Sequence, residues 1–194
     1  MSCEPVGEAM TWRASRRGLL ADVTGTVLEI GAGRGANFGY FATGTDWIGL
    51  EPRRRHRAAL DANSARFGGP SRILAAPAEL IPLPGDHCDA VVSTFVLCSV
   101  ADQDAALSEV LRVLRPGGGF VFLEHVAAAP GTWTRRAQRC WAPFSRRMDD
   151  GCDPARDTAA AIARTGFGHS ESETFEQSVG LGLSVPFIAG RAWK

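Results

Sequence analysis

A chain of 194 residues is long enough to bury a substantial core within one domain. Hydrophobic residues make up 45% and charged residues 22%, the balance of a globular protein, and 21 basic side chains cancel 21 acidic ones. Zero net charge removes the electrostatic case for a nucleic-acid partner, and the absence of an 18-residue apolar run argues against an integral membrane segment.

The N-terminus carries Glu4, Glu8, Arg13, Arg16 and Arg17 and lacks the apolar stretch of a secretory signal. The five cysteines are odd in number and widely spaced, with no CxxC pair. That pattern suggests neither a disulfide framework nor a metal site, and a reducing, cytoplasmic setting is expected.

Residues 1–21 read as an N-terminal helical cap segment before a single domain at 22–194. Thr26 to Ile30 is a short apolar strand that runs into Gly31-Ala32-Gly33-Arg34-Gly35, the start of a strand–turn–helix unit. Asp46 to Leu50 is a second strand, closed by Glu51-Pro52, and Arg53 to Arg66 is a helix. The run Arg53-Arg54-Arg55-His56-Arg57 reads as that helix's solvated face. Ile73 to Ala75 is a brief strand. Ala90 to Phe95 is a nearly all-apolar one, expected to be buried on both faces.

Asp102 is placed to cap a helix whose Leu107, Val110, Leu111 and Leu114 form one stripe, stopped by Pro116-Gly117-Gly118-Gly119. Phe120 to Val126 is a fifth strand. Thr132 to Met148 is an Arg-rich amphipathic stretch, expected to break near Pro143. Pro154 to Thr165 is a helix with Asp153 as its cap. Ser172 to Ser178 and Ser184 to Trp193 are expected as antiparallel partners. Strand-like runs alternating with helix-like runs indicate α/β architecture around a parallel sheet.

Glycine is needed where backbone must approach a ligand without a Cβ, or where φ is positive. The spacing here is GxGxG, one residue short of the GxGxxG dinucleotide fingerprint. Glu51 follows Gly31 by 20 residues, at the end of the next strand, where a carboxylate can accept from both hydroxyls of a ribose. Loop and acid together point to an adenosine-containing ligand. Ala78-Glu79, after the third strand, is a natural place to close over an adenine.

Leu28-Glu29-Ile30-Gly31-Ala32-Gly33-Arg34-Gly35, Glu51, Ala78-Glu79 and Leu111-Arg112-Val113-Leu114-Arg115-Pro116-Gly117-Gly118 fall in the order of a known family. Together they resemble a class I S-adenosylmethionine-dependent methyltransferase over residues 22–126. Gly35-Ala36-Asn37-Phe38, Leu97-Cys98-Ser99-Val100, Glu124-His125-Val126-Ala127 and Asp150-Gly151-Cys152 extend the likeness to the alkyl thiol methyltransferase branch. The membrane location that an N-terminal anchor gives that branch's mammalian members is not expected to carry over. Pro77 stands where quinone-type relatives often carry an aspartate for the adenine amine.

The resemblance implies a Rossmann-like, mostly parallel seven-stranded sheet with helices on both faces and an antiparallel last strand. It implies S-adenosylmethionine as cofactor, held by Glu29, Gly31, Ala32, Gly33, Asn37, Glu51, Pro52, Ala78, Glu79, Thr94, Phe95 and Cys98. The acceptor is expected to be a small molecule, with the oligomeric state open. S-methylation leads, against O-, N- or C-methylation of a metabolite, or cofactor binding without transfer.

Methyl transfer from a sulfonium is an in-line displacement whose leaving group is a neutral thioether, so no acid is required. A thiol of pKa about 8.5 supplies some thiolate at neutral pH, whereas a phenol or amine asks for more help. Cys98, Ser99, Glu124 and His125, at the carboxyl ends of the fourth and fifth strands, are candidates to face the methyl. His125 is the first choice for a base or orienting group, and Asp150 a second catalytic candidate.

Overall fold

The computed structural model describes residues 12–148, 150–180 and 183–194. Seven strands form one sheet in the order β3-β2-β1-β4-β5-β7-β6. They are β1 (Thr26–Ile30), β2 (Asp46–Leu50), β3 (Ser71–Leu74), β4 (Cys88–Thr94), β5 (Leu114–His125), β6 (His169–Gly180) and β7 (Leu183–Trp193). All ladders from β3 through β5 are parallel, and β7 pairs antiparallel with both β5 and β6. The α/β expectation and the antiparallel final pair both hold. Around the sheet lie α1 (Trp12–Leu20), α2 (Arg54–Ser64), α3 (Gln103–Val113), α4 (Trp133–Met148) and α5 (Thr158–Arg164). The cap segment expected at 1–21 is described only from Trp12 onward; residues 1–11 lie outside the described residues.

Alternation along the central strands divides the core between the two sheet faces. Leu28 and Ile30 of β1 join Val91, Phe120 and Phe122 under α3 and α5, whereas Val27 joins Val92, Val121 and Leu20 of α1. Trp47 of β2 is fully buried against Leu60 of α2, with Phe38 and Phe67 packed around it. Its ring meets Phe38 edge-on, with centroids 4.7 Å apart.

Several boundaries differ from the sequence reading. Residues 31–40 form successive turns, not a helix, with Gly35, Phe38 and Tyr40 each donating three residues back. Helix α3 ends at Val113 because Leu114 is already extended and paired with Cys88. The Pro-Gly run therefore lies in the opening of β5, beside a register shift in β4. Helix α4 continues through Pro143. Pro143 removes one N–H, while the buried face is fastened by Gln138, which donates to Val126 O and accepts from Ala128 N. Helix α5 starts four residues later than expected, capped by Asp157. Asp153 is unavailable as that cap: its carboxylate pairs with Arg146 and accepts from Ala155 N.

Glu29 is a buried carboxylate on the Val27 side of β1. Trp47 Nε1 and Asn37 Nδ2 each donate to it at 2.8 Å. Burial raises its pKa from 4.5 to about 7, even though both hydrogen bonds act the other way. The folded protein therefore keeps a proton between those values that the unfolded chain releases. Raising the pH through this window costs stability, and above pH 7 the contribution is flat. Urea unfolding at pH 5 and pH 8 is expected to show wild type losing about 2–3 kcal/mol more than Glu29→Gln over that interval. Equal slopes for the two proteins would contradict this.

Candidate active site

The carboxyl ends of β1, β2, β4 and β5 open into one cavity of about 810 Å³. Gly31 leaves β1 with φ +57°, and a Cβ there would lie 2.6 Å from the methyls of Val96. Gly33, at φ +58°, donates its N–H to Glu51 Oε2 at 2.8 Å, and a Cβ on it would stand clear of every atom within 3.9 Å. The third glycine has a different reason. A Cβ at Gly35 would lie 2.2 Å from the Phe38 ring, so this position serves the aromatic packing around Trp47.

Glu51, at the end of β2, is 2% exposed yet lines the cavity. Its second oxygen accepts from Arg53 N at 2.8 Å. His56 Nδ1 lies 3.7 Å from this carboxylate, is buried, and has no hydrogen-bond partner among the described residues. The basic run at the start of α2 is thus anchored around the cavity. Arg53 and Arg55 pair with Asp150, and Arg57 donates to the carbonyls of Glu51 and Pro52.

At the end of β4 the chain turns at Phe95, which has φ +58°. Glu124, fully buried in β5, fixes that turn by accepting from the Ser93 hydroxyl at 2.6 Å and from Val96 N at 3.1 Å. Desolvation pushes its pKa up, opposed by these donors. Glu124 therefore faces back into the protein, contrary to its expected place beside the methyl. The turn delivers Cys98 and Ser99 to the cavity wall, with Cys98 Sγ 3.5 Å from Ser99 Oγ.

His125 closes β5 and sits opposite Phe187 of β7 in register. Its Nε2 lies 3.1 Å from Cys152 Sγ, in the loop between α4 and α5. That loop contributes Asp150 and Cys152 to the cavity lining and is tied down where Asp153 N donates to Cys98 O at 3.0 Å. The hydrogen bond from Cys98 and the neighbouring His125 imidazole lower the Cys152 pKa to about 5. Cys98 moves upward because it is the donor of that pair and is buried.

Of the fourteen residues expected at the site, Gly31, Gly33, Glu51, Pro52, Ala78, Glu79, Phe95, Cys98, His125 and Asp150 line the cavity. The remaining four lie outside its lining. Glu29, Asn37 and Thr94 form an internal network in which Asn37 Nδ2 donates to both partners, and buried Ala32 donates its N–H to Leu50 O. Glu79 reaches the wall, but its carboxylate accepts from Ala101 N and Asp102 N ahead of α3. Asp150 sits at the Glu51 end, near His56, and not at the His125 end where an acceptor base is expected. Arg53, His56 and Phe187 are wall residues that the sequence reading omits. The first two were masked by the basic run, and Phe187 is identifiable only from the β5–β7 register.

The methyltransferase domain family matches residues 28–122. Over 172 residues the chain is 34% identical to human thiol S-methyltransferase TMT1A, covering 87% of this chain and 70% of that protein. Among solved structures, YcgJ from Bacillus subtilis superposes with a TM-score of 0.74 at 16% identity, covering 92% of this chain and 97% of that one. An S-adenosylmethionine-dependent methyltransferase from Mesorhizobium loti gives 0.68 at 21% identity, covering 95% and 98%.

Proposed function

Since the chain belongs to the S-adenosylmethionine-dependent methyltransferases, the family that includes the human thiol S-methyltransferases, we propose that it transfers the methyl group to a small thiol. The observation that carries this reading is the division of one cavity into two chemically distinct ends. Glu51, His56 and the Gly31–Gly33 turn form one end, and Cys98, His125 and Cys152 form the other.

The first end fits the cofactor. Glu51 keeps lone pairs for the two ribose hydroxyls, the unpartnered His56 Nδ1 adds a polar atom beside them, and Gly33 leaves space a side chain would fill. When bound, S-adenosylmethionine supplies an electrophilic methyl on a positively charged sulfur. Asp150, paired with Arg53 and Arg55, ties the α4–α5 loop to the start of α2 at this end of the cavity. Gly31, Phe95 and Ala78 supply the close-fitting wall that orients the reacting groups. Such positioning can account for about 7–11 kcal/mol of the barrier.

The second end suits sulfur. A thiol is the one common acceptor that is already partly ionised at neutral pH, so it is no obstacle that, among the described residues, this end of the wall carries no lysine or carboxylate. His125 and Cys152 are the polar groups that meet and orient it. The free thiols of Cys88, Cys98, Cys140 and Cys152 support a reducing, cytoplasmic setting. Among the described residues no helix is long and apolar enough to cross a membrane.

Incubation with methyl-labelled cofactor and matched small alkyl thiols, phenols and amines tests the proposal. The expected product is the thioether, with thiols favoured over the other classes by at least about tenfold. Methylation of a phenol or amine without any thiol product would refute it.

A further inference from the structure

Three segments far apart in the chain place two sulfurs and one imidazole at the acceptor end. Cys98 comes from the turn after β4, His125 from the end of β5 and Cys152 from the α4–α5 loop. Their ligand atoms, Sγ, Nε2 and Sγ, all lie within 4.8 Å of one another. We propose that Cys98 Sγ, His125 Nε2 and Cys152 Sγ form a three-ligand site for Zn²⁺, whose open fourth position receives the sulfur of the acceptor thiol. The fourth-ligand role rests on the S-methylation reading given above; the metal site itself does not.

The donor set selects the ion. Two thiolates and a neutral imidazole are soft to borderline ligands, suited to zinc and unsuited to Mg²⁺ or Ca²⁺. Zn–S bonds of about 2.3 Å and Zn–N bonds of about 2.0 Å give a tetrahedron with edges of roughly 3.5–3.8 Å. The three atoms already approach that size, so shifts of about an ångström complete it. Two thiolates also neutralise the ion, which makes the site tolerable at a wall that is mostly apolar.

The surroundings match what a thiolate–metal site needs. The Ser99 hydroxyl lies 3.5 Å from Cys98 Sγ, and the Ser145 hydroxyl of α4 bonds Cys152. Each can donate to a metal-bound sulfur and orient it. The Cys98 carbonyl accepts from Asp153 N, which ties the first ligand's backbone to the loop carrying the third. All three ligands line the cavity, so a fourth position facing it is open to a small molecule.

The chemistry balances without a further reagent. Loading the ion releases to solvent the one proton that the Cys98–Cys152 pair holds, which leaves both sulfurs as thiolates. An acceptor thiol taking the fourth position gives up its S–H proton to solvent through the cavity mouth. A lone pair on that sulfur forms the new S–CH₃ bond while the methyl–sulfonium bond breaks, its electron pair remaining on the departing thioether. The methylated product is a neutral thioether and a poor ligand, so it leaves.

Reduced, chelator-treated protein titrated with Co²⁺, the spectroscopic stand-in for Zn²⁺, tests the site without turnover. One equivalent is expected, with a thiolate-to-cobalt charge-transfer band that Zn²⁺ abolishes by displacement. Cys152→Ser and His125→Gln should each weaken binding by at least about 100-fold. Thermal midpoints near wild type identify the variants as folded, and Cys98→Ala serves as the third arm if either is not. No band in wild type, or equal affinity in folded variants, overturns the proposal. In turnover assays, removing the metal should slow thiol methylation at least tenfold, with Zn²⁺ restoring it. Undiminished thiol methylation after chelation overturns the zinc role and leaves S-methylation standing. A site that binds Co²⁺ in protein that methylates no thiol overturns S-methylation and with it the fourth-ligand role.

Discussion

Replacing Glu51 with Ala is expected to weaken binding of S-adenosylhomocysteine by at least tenfold, about 1.4 kcal/mol or more, when measured by calorimetry. The reasoning begins with burial. Glu51 is 2% exposed, and the Gly33 and Arg53 amides each donate to one of its oxygens at 2.8 Å. Two oxygens with two donors still offer lone pairs on the cavity side. Hydrogen bonds to an ionised acceptor are worth about 1.5–3 kcal/mol, more than neutral ones, so losing two from ribose hydroxyls can reach a hundredfold. Alanine also removes the partner of Gly33 N–H and loosens the turn that shapes the same pocket. Glu51→Gln keeps the shape but removes the charge and should fall between the two. An unchanged dissociation constant in folded Glu51→Ala would mean that the nucleoside binds elsewhere.

The second large effect is structural. Glu124→Ala is expected to cost about 3 kcal/mol, lowering the thermal midpoint by about 6–12 °C for a chain of this size. The fully buried carboxylate accepts from Ser93 Oγ and Val96 N, and alanine takes that acceptor from both donors. Leaving buried donors unpaired costs about 1–3 kcal/mol each, and the vacated volume adds to it. Release of the raised carboxyl offsets part of this, which keeps the expected loss below the sum of those costs. Glu124→Gln retains an oxygen for Val96 N, and the Ser93 hydroxyl can turn to accept from the new amide, so its loss should stay near 1 kcal/mol. Calorimetric melting of the three proteins checks the order. A Glu124→Ala midpoint within 2 °C of wild type would show that the β4 turn does not depend on this carboxylate.

The contrast between Glu51 and Glu29 shows how much of the site is legible in the sequence. Both are acids beside the glycine turn, and both were expected to touch the cofactor. Glu51 lies past the end of its strand, where the chain leaves the sheet, so its carboxylate can reach the cleft. Glu29 lies one residue before the end of β1, and strand alternation sends its side chain toward Trp47 and Asn37. The turn and the acid after the second strand are local features and can be read directly. The direction of a side chain within a strand depends on which sheet face packs against what, and that is a tertiary fact.

The same distinction explains the cysteines. Their spacing gives no metal or disulfide signature, because the cluster brings together Cys98, His125 and Cys152, each 27 residues from the next, from three separate segments. Asp153-Pro154 has the form of a helix start, yet Arg146 claims the aspartate and the helix waits for Asp157. Pro143 signals a break that one lost hydrogen bond is too small to enforce while Gln138, Ala142 and Ser145 stay buried. In each case local propensity met a longer-range contact of greater energy.

A crystal structure of the complex with S-adenosylhomocysteine tests the arrangement most directly. The ribose hydroxyls should lie within hydrogen-bond distance of the Glu51 carboxylate, with the thioether sulfur turned toward Cys98, His125 and Cys152. A nucleoside bound away from Glu51, or a sulfur turned from those three side chains, would contradict it.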